Sequence, residues 1–167
     1  MIPLSPGTAM TSVGPAERPE HLALVRALFR EYASTLGFNL HFQAFDEELA
    51  TLPGEYAPPR GCLLLAWQDK DAVGCAGIRP WSADTAELKR LYVQPKARAL
   101  GLGRALAEAA LAHARAAGYR RVRLDSLPTM ERALALYRDL GFQPIPPYRY
   151  NPIPETVYLE LTFPSTG

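Results

Sequence analysis

Several things are scarce in this sequence, and each scarcity removes a class of protein. No apolar run approaches the roughly 20 residues that a helix needs to cross a bilayer, so a helical membrane span is not expected. The opening residues, MIPLSPGTAM, have no basic start and contain two prolines, unlike a secretory signal. There are only two cysteines, Cys62 and Cys75, and three histidines. No His, Cys or carboxylate spacing marks a metal site, and two thiols do not make a disulfide framework. Charge of one sign is lacking as well. With 18 Lys and Arg against 17 Asp and Glu, the formal net charge is +1, which gives no case for nucleic acid as a partner. These absences lead us to expect a cytoplasmic protein with buried free thiols and no membrane or nucleic-acid partner. If CLLLAWQDKDAVGCAGIRPW is a hairpin turning near Lys70 and Asp71, Cys62 faces about Arg79 and Cys75 about Ala66, out of register for a bridge.

What is present suits one globular domain. The chain has 167 residues, 48% hydrophobic and 21% charged, enough to bury a core. We expect the domain to span residues 10–167, with residues 1–9 a flexible leader and Met10 an alternative start. Residues 10–13 begin a short strand. From Pro19, apolar residues recur at helical spacing until Gly37, and residues 43–52 make a shorter helix. CLLLAWQD, AVGCAGIRPW and TAELKRLYV are three successive strands, the first two a hairpin. Leu102, Leu106, Ala109, Ala110, His113 and Ala116 share one helical face that stops at Gly118, and TMERALALYRDLGF reads as a helix ending at Gly141 with Thr129 as a candidate N-cap, with the strand RVRLDS between them. TVYLELTF closes the chain as a strand after the proline-broken PIPPYRYNPIPE. The order implies an α/β fold with a mixed central sheet of about 6–7 strands flanked by about four helices.

Charge is unevenly spread. Nine of the 18 basic residues fall between Glu87 and Arg123, with only Glu87 and Glu108 acidic before Asp125. Within that stretch, QPKARALGLGRAL sets Arg98, Gly101, Gly103 and Arg104 where a strand feeds a helix. A loop of small residues entering a helix presents unpaired N–H groups and the positive end of the helix dipole, so a pyrophosphate is the natural occupant. A loop merely shaped by glycine, with solvated arginines, is the plainer reading of a lone GxG. A phosphate-binding Walker loop fails because no Gly-Lys-Ser/Thr follows. A dinucleotide fingerprint, with Asp125 as its acid, fits poorly, because Leu106 stands at the third glycine and seven residues separate Val93 from Gly101.

The flanking blocks decide between these readings. AELKRLYVQPKARALGLGRALAEAALAHARAAGYRRVRLDSLPTMERALALYRDLGF resembles the GNAT family of GCN5-related N-acetyltransferases, which use acetyl-coenzyme A. Its Arg-x-x-Gly-x-Gly core is Arg98, Gly101 and Gly103, and its Leu-Tyr-x-x-x-Gly-Phe block is Leu136, Tyr137, Gly141 and Phe142. The resemblance implies the acyl-CoA N-acyltransferase fold and acetyl-CoA as cofactor. It places the coenzyme along Leu91, Tyr92 and Val93 and over the loop of Arg98, Ala99, Leu100, Gly101, Leu102, Gly103 and Arg104. It also implies Glu87 as general base, with a pKa raised by partial burial, and Tyr137 as general acid. The chemistry needs a base because an amine of pKa about 10.4 is about 99.9% protonated at pH 7. Met130 departs from the asparagine that many members carry seven residues before the tyrosine.

The acceptor is less legible. On the family pattern its cleft lies between GFNLHFQAF and PIPPYRYNPIPE, where Phe38, Phe42, Tyr148 and Tyr150 are expected to line an apolar-walled pocket and Glu47 or Glu48 to attract a cation. A small primary amine or amino-acid-like acceptor is the expected substrate. A protein or peptide amine, and a non-catalytic acyl-CoA-binding module, stay open as alternatives. A homodimer through the apolar last strand is also left open.

Overall fold

The computed structural model describes residues 10–37 and 44–165. The expected leader at 1–9 and the residues Phe38 and Phe42 lie outside the described residues. Seven strands, β1 (Thr11–Pro15), β2 (Cys62–Gln68), β3 (Asp71–Pro80), β4 (Thr85–Val93), β5 (Arg121–Ser126), β6 (Gln143–Pro144) and β7 (Val157–Thr162), form one sheet in the order β1-β2-β3-β4-β5-β7-β6. Every pairing is antiparallel except that of β4 with β5, which is parallel. That exception follows from the chain path, since a helix carries it from the end of β4 back to the start of β5.

Helices cover both faces. On one face, α3 (Leu102–Ala116) and α4 (Glu131–Leu140) bury Leu106, Ala107, Ala110, Ala114 and Leu134 against Leu64, Ile78, Leu88, Val122 and Leu124. The alanines on α3 bring the helix axis close to the sheet, and together with the leucines they form one stripe at helical period. On the other face, α1 (Pro19–Ser34) and α2 (Phe45–Thr51) pack Val25, Leu28, Phe29, Phe45 and Leu49 against Leu63, Leu65 and Cys75. Strand β5 shows the alternation that two covered faces impose, with Val122 and Leu124 on the α3/α4 side and Arg121, Arg123 and Asp125 on the other.

Element boundaries fall close to expectation, with three differences. The hairpin register is one residue off the expected one, with Cys62 opposite Ile78 and Cys75 opposite Leu65. Both thiols are buried and free, packed into the two opposite cores. Thr129 does not cap α4; the cap position is Met130, without a side-chain hydrogen bond. Residues 95–100, read as loop, form a 3-10 turn. The missing side chain of Gly77 on β3 has a clear cause, because a Cβ there would lie 2.6 Å from the ring of buried Tyr56.

Candidate active site

Strands β4 and β5 pair only at Thr85↔Arg121, Ala86↔Val122 and Glu87↔Arg123 and then part. Beyond Glu87 the backbone of β4 has no ladder partner on that side. A bulge sharpens the divergence. One residue of β3 between Cys75 and Gly77 opposes two of β4 between Lys89 and Tyr92, and Arg90 takes φ +60°. The extra residue puts Lys89 and Arg90 on the same face of the sheet, toward α1 and α2. There Arg90 makes a bidentate pair with Glu48 of α2, at 3.1 Å through both Nε and Nη2.

A cleft of about 470 Å³ runs along the parted edge of β4 on the α3/α4 side, walled by Tyr32, Leu91, Val93, Arg98, Gly103 and Met130. At its end the chain turns through Gly101, φ +73°, into the start of α3, where first-turn N–H groups have no carbonyl one turn back. A Cβ on Gly101 would meet nothing within 4 Å, and one on Gly103 only Val93 Cγ2 at 4.0 Å. The backbone is thus bare where a ligand would lie on it. Arg98 donates from Nε to the Val93 carbonyl at 3.1 Å, which fixes its guanidinium at the cleft wall. The donors, the bare glycines and the free strand edge suit a phosphate-bearing chain with amides of its own.

Not every residue expected along that chain faces the cleft. Leu102 is a core side chain, and Leu100 packs against the same core. Arg104 is turned to Glu108 and to Asp139 of α4. Ala99, Leu100, Gly101 and Leu102 therefore have only backbone to offer.

On the other side of the gap a smaller cavity, of about 60 Å³, is lined by Lys89, Asp125, Ser126, Met130, Tyr137 and Asn151. Tyr32 of α1 and Leu91, Met130 and Ala133 line both spaces, so the two meet at the parted strands. Asp125 is only 7% exposed; Lys89 Nζ stands 3.6 Å from its Oδ1 and Arg149 Nη1 3.9 Å from its Oδ2. Its Oδ2 is buried without a hydrogen-bond donor. Burial lowers the pKa of Lys89 to about 8, against the upward pull of Glu87 and Asp125. Burial also raises the Tyr137 phenol well above its ordinary value, so it stays a neutral donor.

Glu87 does not behave as expected. It is fully buried. Arg79 contacts Oε1 at 3.0 Å, Arg149 contacts Oε2 at 2.5 Å and the Tyr148 hydroxyl donates to Oε2 at 2.8 Å. Burial by itself works to raise its pKa, but the charges of Lys89, Arg79 and Arg149 and the Tyr148 hydrogen bond outweigh it and hold the carboxyl at about 2. The expected shift toward neutrality is thereby corrected in sign. A carboxylate so stabilised is a weak proton acceptor.

The aromatic residues expected at the acceptor also divide. Tyr148 is tied to Glu87, and its ring packs edge-on against Trp81 and Tyr158. Arg149 lies 5.3 Å from the ring centres of both Trp81 and Tyr148. Tyr150 is 81% exposed and lines neither space; Asn151 and Thr156 face the cavity instead. Glu48 is consumed by Arg90 and Arg79. Among the described residues no cluster of His, Cys, Asp and Glu is arranged to hold a metal, and no helix is long and apolar enough to cross a membrane.

Comparison with known proteins bears on this geometry. The family model described as Acetyltransferase (GNAT) family matches residues 23–142. The chain belongs to the GNAT acetyltransferases. An uncharacterised N-acetyltransferase of Schizosaccharomyces pombe is 37% identical over 152 residues, which are 90% of this chain and 93% of that one. An acetyltransferase from Streptococcus agalactiae shares the fold with a TM-score of 0.75 at 22% identity, covering 92% of this chain and 98% of its own. A Salmonella typhimurium protein solved with its cofactor acetyl-CoA has a TM-score of 0.68 at 16% identity, covering 91% and 93%.

Within this GNAT chain, three residues of the site went unremarked or misread in the sequence. Asp125 was visible there only as the acid of a rejected dinucleotide pattern. Lys89 and Tyr32 carry no local signature at all. Strand alternation sets Lys89 on the same face as Glu87, but only the pairing with β5 brings it against Asp125, and only the packing of α1 sets Tyr32 between the two spaces.

Proposed function

We propose that the protein transfers an acetyl group from acetyl-CoA to the primary amine of a small, amino-acid-like acceptor, with Asp125 receiving the ammonium and Tyr137 serving the leaving sulfur. The observation that carries this reading is Asp125, which lines the cavity and whose buried Oδ2 has no hydrogen-bond donor. A buried carboxylate oxygen without a donor is unfavourable by about 1–3 kcal/mol or more, and an incoming ammonium relieves it. Bound acetyl-CoA supplies a thioester carbonyl open to attack by a neutral amine.

The chain's own residues do the rest. The loop from Arg98 to Gly103 and the start of α3 bind the diphosphate, and the free edge of β4 from Leu91 to Val93 pairs with the extended arm. Asp125 orients the acceptor ammonium and takes its proton, directly or through water. Tyr137 stays protonated through the neutral range and donates to the sulfur as it departs. Glu87 holds Arg79, Tyr148 and Arg149 in place and so braces the loop that closes the cavity.

Thiol release from acetyl-CoA across a panel of amines, amino acids and short peptides tests the assignment. Asp125→Asn is expected to lower turnover by about 10²–10⁴-fold while calorimetry shows acetyl-CoA affinity unchanged. Undiminished turnover in that variant removes Asp125 from the role. Activity confined to peptides removes the small acceptor.

A further inference from the structure

Lys89 is the one lysine turned into the reaction space. The chain has three lysines, and Lys70 and Lys96 are exposed on the surface. The side chain of Lys89 is 4% exposed and lines the same cavity as Tyr137 and Asp125, the cavity read above as the acceptor's. Its Nζ, 3.6 Å from Asp125 Oδ1, sits against the carboxylate assigned above to the acceptor's ammonium. A primary amine is therefore built into the acceptor position.

We infer that Lys89 is a self-acetylation site: when no acceptor occupies the cavity, the protein transfers acetyl to Lys89 Nζ and closes its own acceptor position. The inference rests on the acetyl transfer proposed above. In the step, neutral Nζ attacks the thioester carbonyl carbon, the C–N bond forms and the C–S bond breaks. One amine proton passes to the departing sulfur, giving N-acetyl-Lys89 and the free thiol of coenzyme A. No other reactant is needed.

The surroundings favour the step. Lys89 is faced by Asp125 of β5, Glu87 and Arg90 of β4, Arg149 of the loop before β7, and Tyr32 and Tyr137 of α1 and α4. Burial outweighs the two carboxylates and leaves Nζ near a pKa of about 8, so about a fifth of it is neutral at pH 7.4, against about 0.1% for an exposed lysine. The product is uncharged. It loses the ion pair to Asp125 and places an acyl group where the acceptor would bind, so the modified protein is switched off. High acetyl-CoA with low acceptor is the condition that drives it.

The test incubates the full chain with acetyl-CoA and no amine, over a range of pH, and follows intact mass and the digested peptides. One acetyl group is expected first, on the peptide containing Lys89, with a rate that rises to a plateau above about pH 8. Lys70 and Lys96 are expected to lag by at least about tenfold, in line with their smaller neutral fraction. Lys89→Arg should lack the early adduct, an added acceptor amine should suppress it, and turnover should fall in step with its accumulation. A protein that binds acetyl-CoA by calorimetry and acetylates an amine, yet leaves Lys89 unmodified, overturns this inference and spares the transfer reading. Equal labelling of all three lysines marks bulk chemical acetylation and overturns it as well. If acetyl-CoA does not bind at all, the transfer reading falls and takes this one with it.

Discussion

Replacing Glu87 by glutamine keeps the shape of the side chain and removes one negative charge from between two guanidinium groups. The variant leaves Arg79 and Arg149 buried without their shared counter-charge. The carboxyl is held at about 2 against an ordinary 4.5, which corresponds to roughly 3 kcal/mol at about 1.4 kcal/mol per unit. Removing one partner of a buried ion pair costs about 3–5 kcal/mol, in agreement. At about 2–4 °C per kcal/mol for a domain of this size, the melting temperature at pH 7 should fall by about 6–12 °C. The pH dependence follows from the direction of the shift. Because the folded-state pKa lies below the unfolded one, the contribution is complete above pH 4.5 and fades as pH falls toward 2. Calorimetric melts of parent and variant, far apart at pH 7, should therefore converge in acid. Turnover, measured by thiol release well below both melts, should change by less than about tenfold, small beside the loss expected for a proton-transfer group. A variant that melts with the parent but turns over about 100-fold more slowly would refute the reasoning and return the proton-accepting role to Glu87.

Two further outcomes are expected. Tyr137→Phe should lower turnover on the order of 10²-fold while leaving acetyl-CoA affinity and the melt nearly unchanged, since the ring still packs on Phe142; full activity would make it a core aromatic only. Gly77→Ala should lower stability by about 1–3 kcal/mol, because the Tyr56 ring 2.6 Å from the new Cβ is buried and its hydroxyl is bonded to Glu48; an unchanged melt would show slack behind that ring.

The helices were legible because each has a clear apolar period, and α3 and α4 end at glycines with positive φ, Gly118 and Gly141. The turn into α3 was legible too, because the bare backbone at Gly101 and Gly103 and the position of Arg98 beside it are matters of residue type and spacing, which sequence records directly. The cavity around Lys89 and Asp125 was not. Lys89 and Glu87 both read as polar positions on a charged strand, and nothing local shows that both are buried. Their surroundings come from Arg79 across the hairpin, Glu48 on α2, Asp125 on β5 and Arg149 near the end of the chain. The sign of the Glu87 shift depends on how many cations converge on it, and that count exists only in three dimensions.

Because β4 and β5 share only three residue pairs, the sheet amounts to two panels joined by a short seam. Past the seam, the panels are linked by the core under α3 and α4 and by the ion pairs Lys89 to Asp125 and Glu87 to Arg149, whereas each panel is internally laced by long antiparallel ladders. A ligand threaded between the panels would act as a splint. The protein should therefore stiffen most across its own middle when loaded.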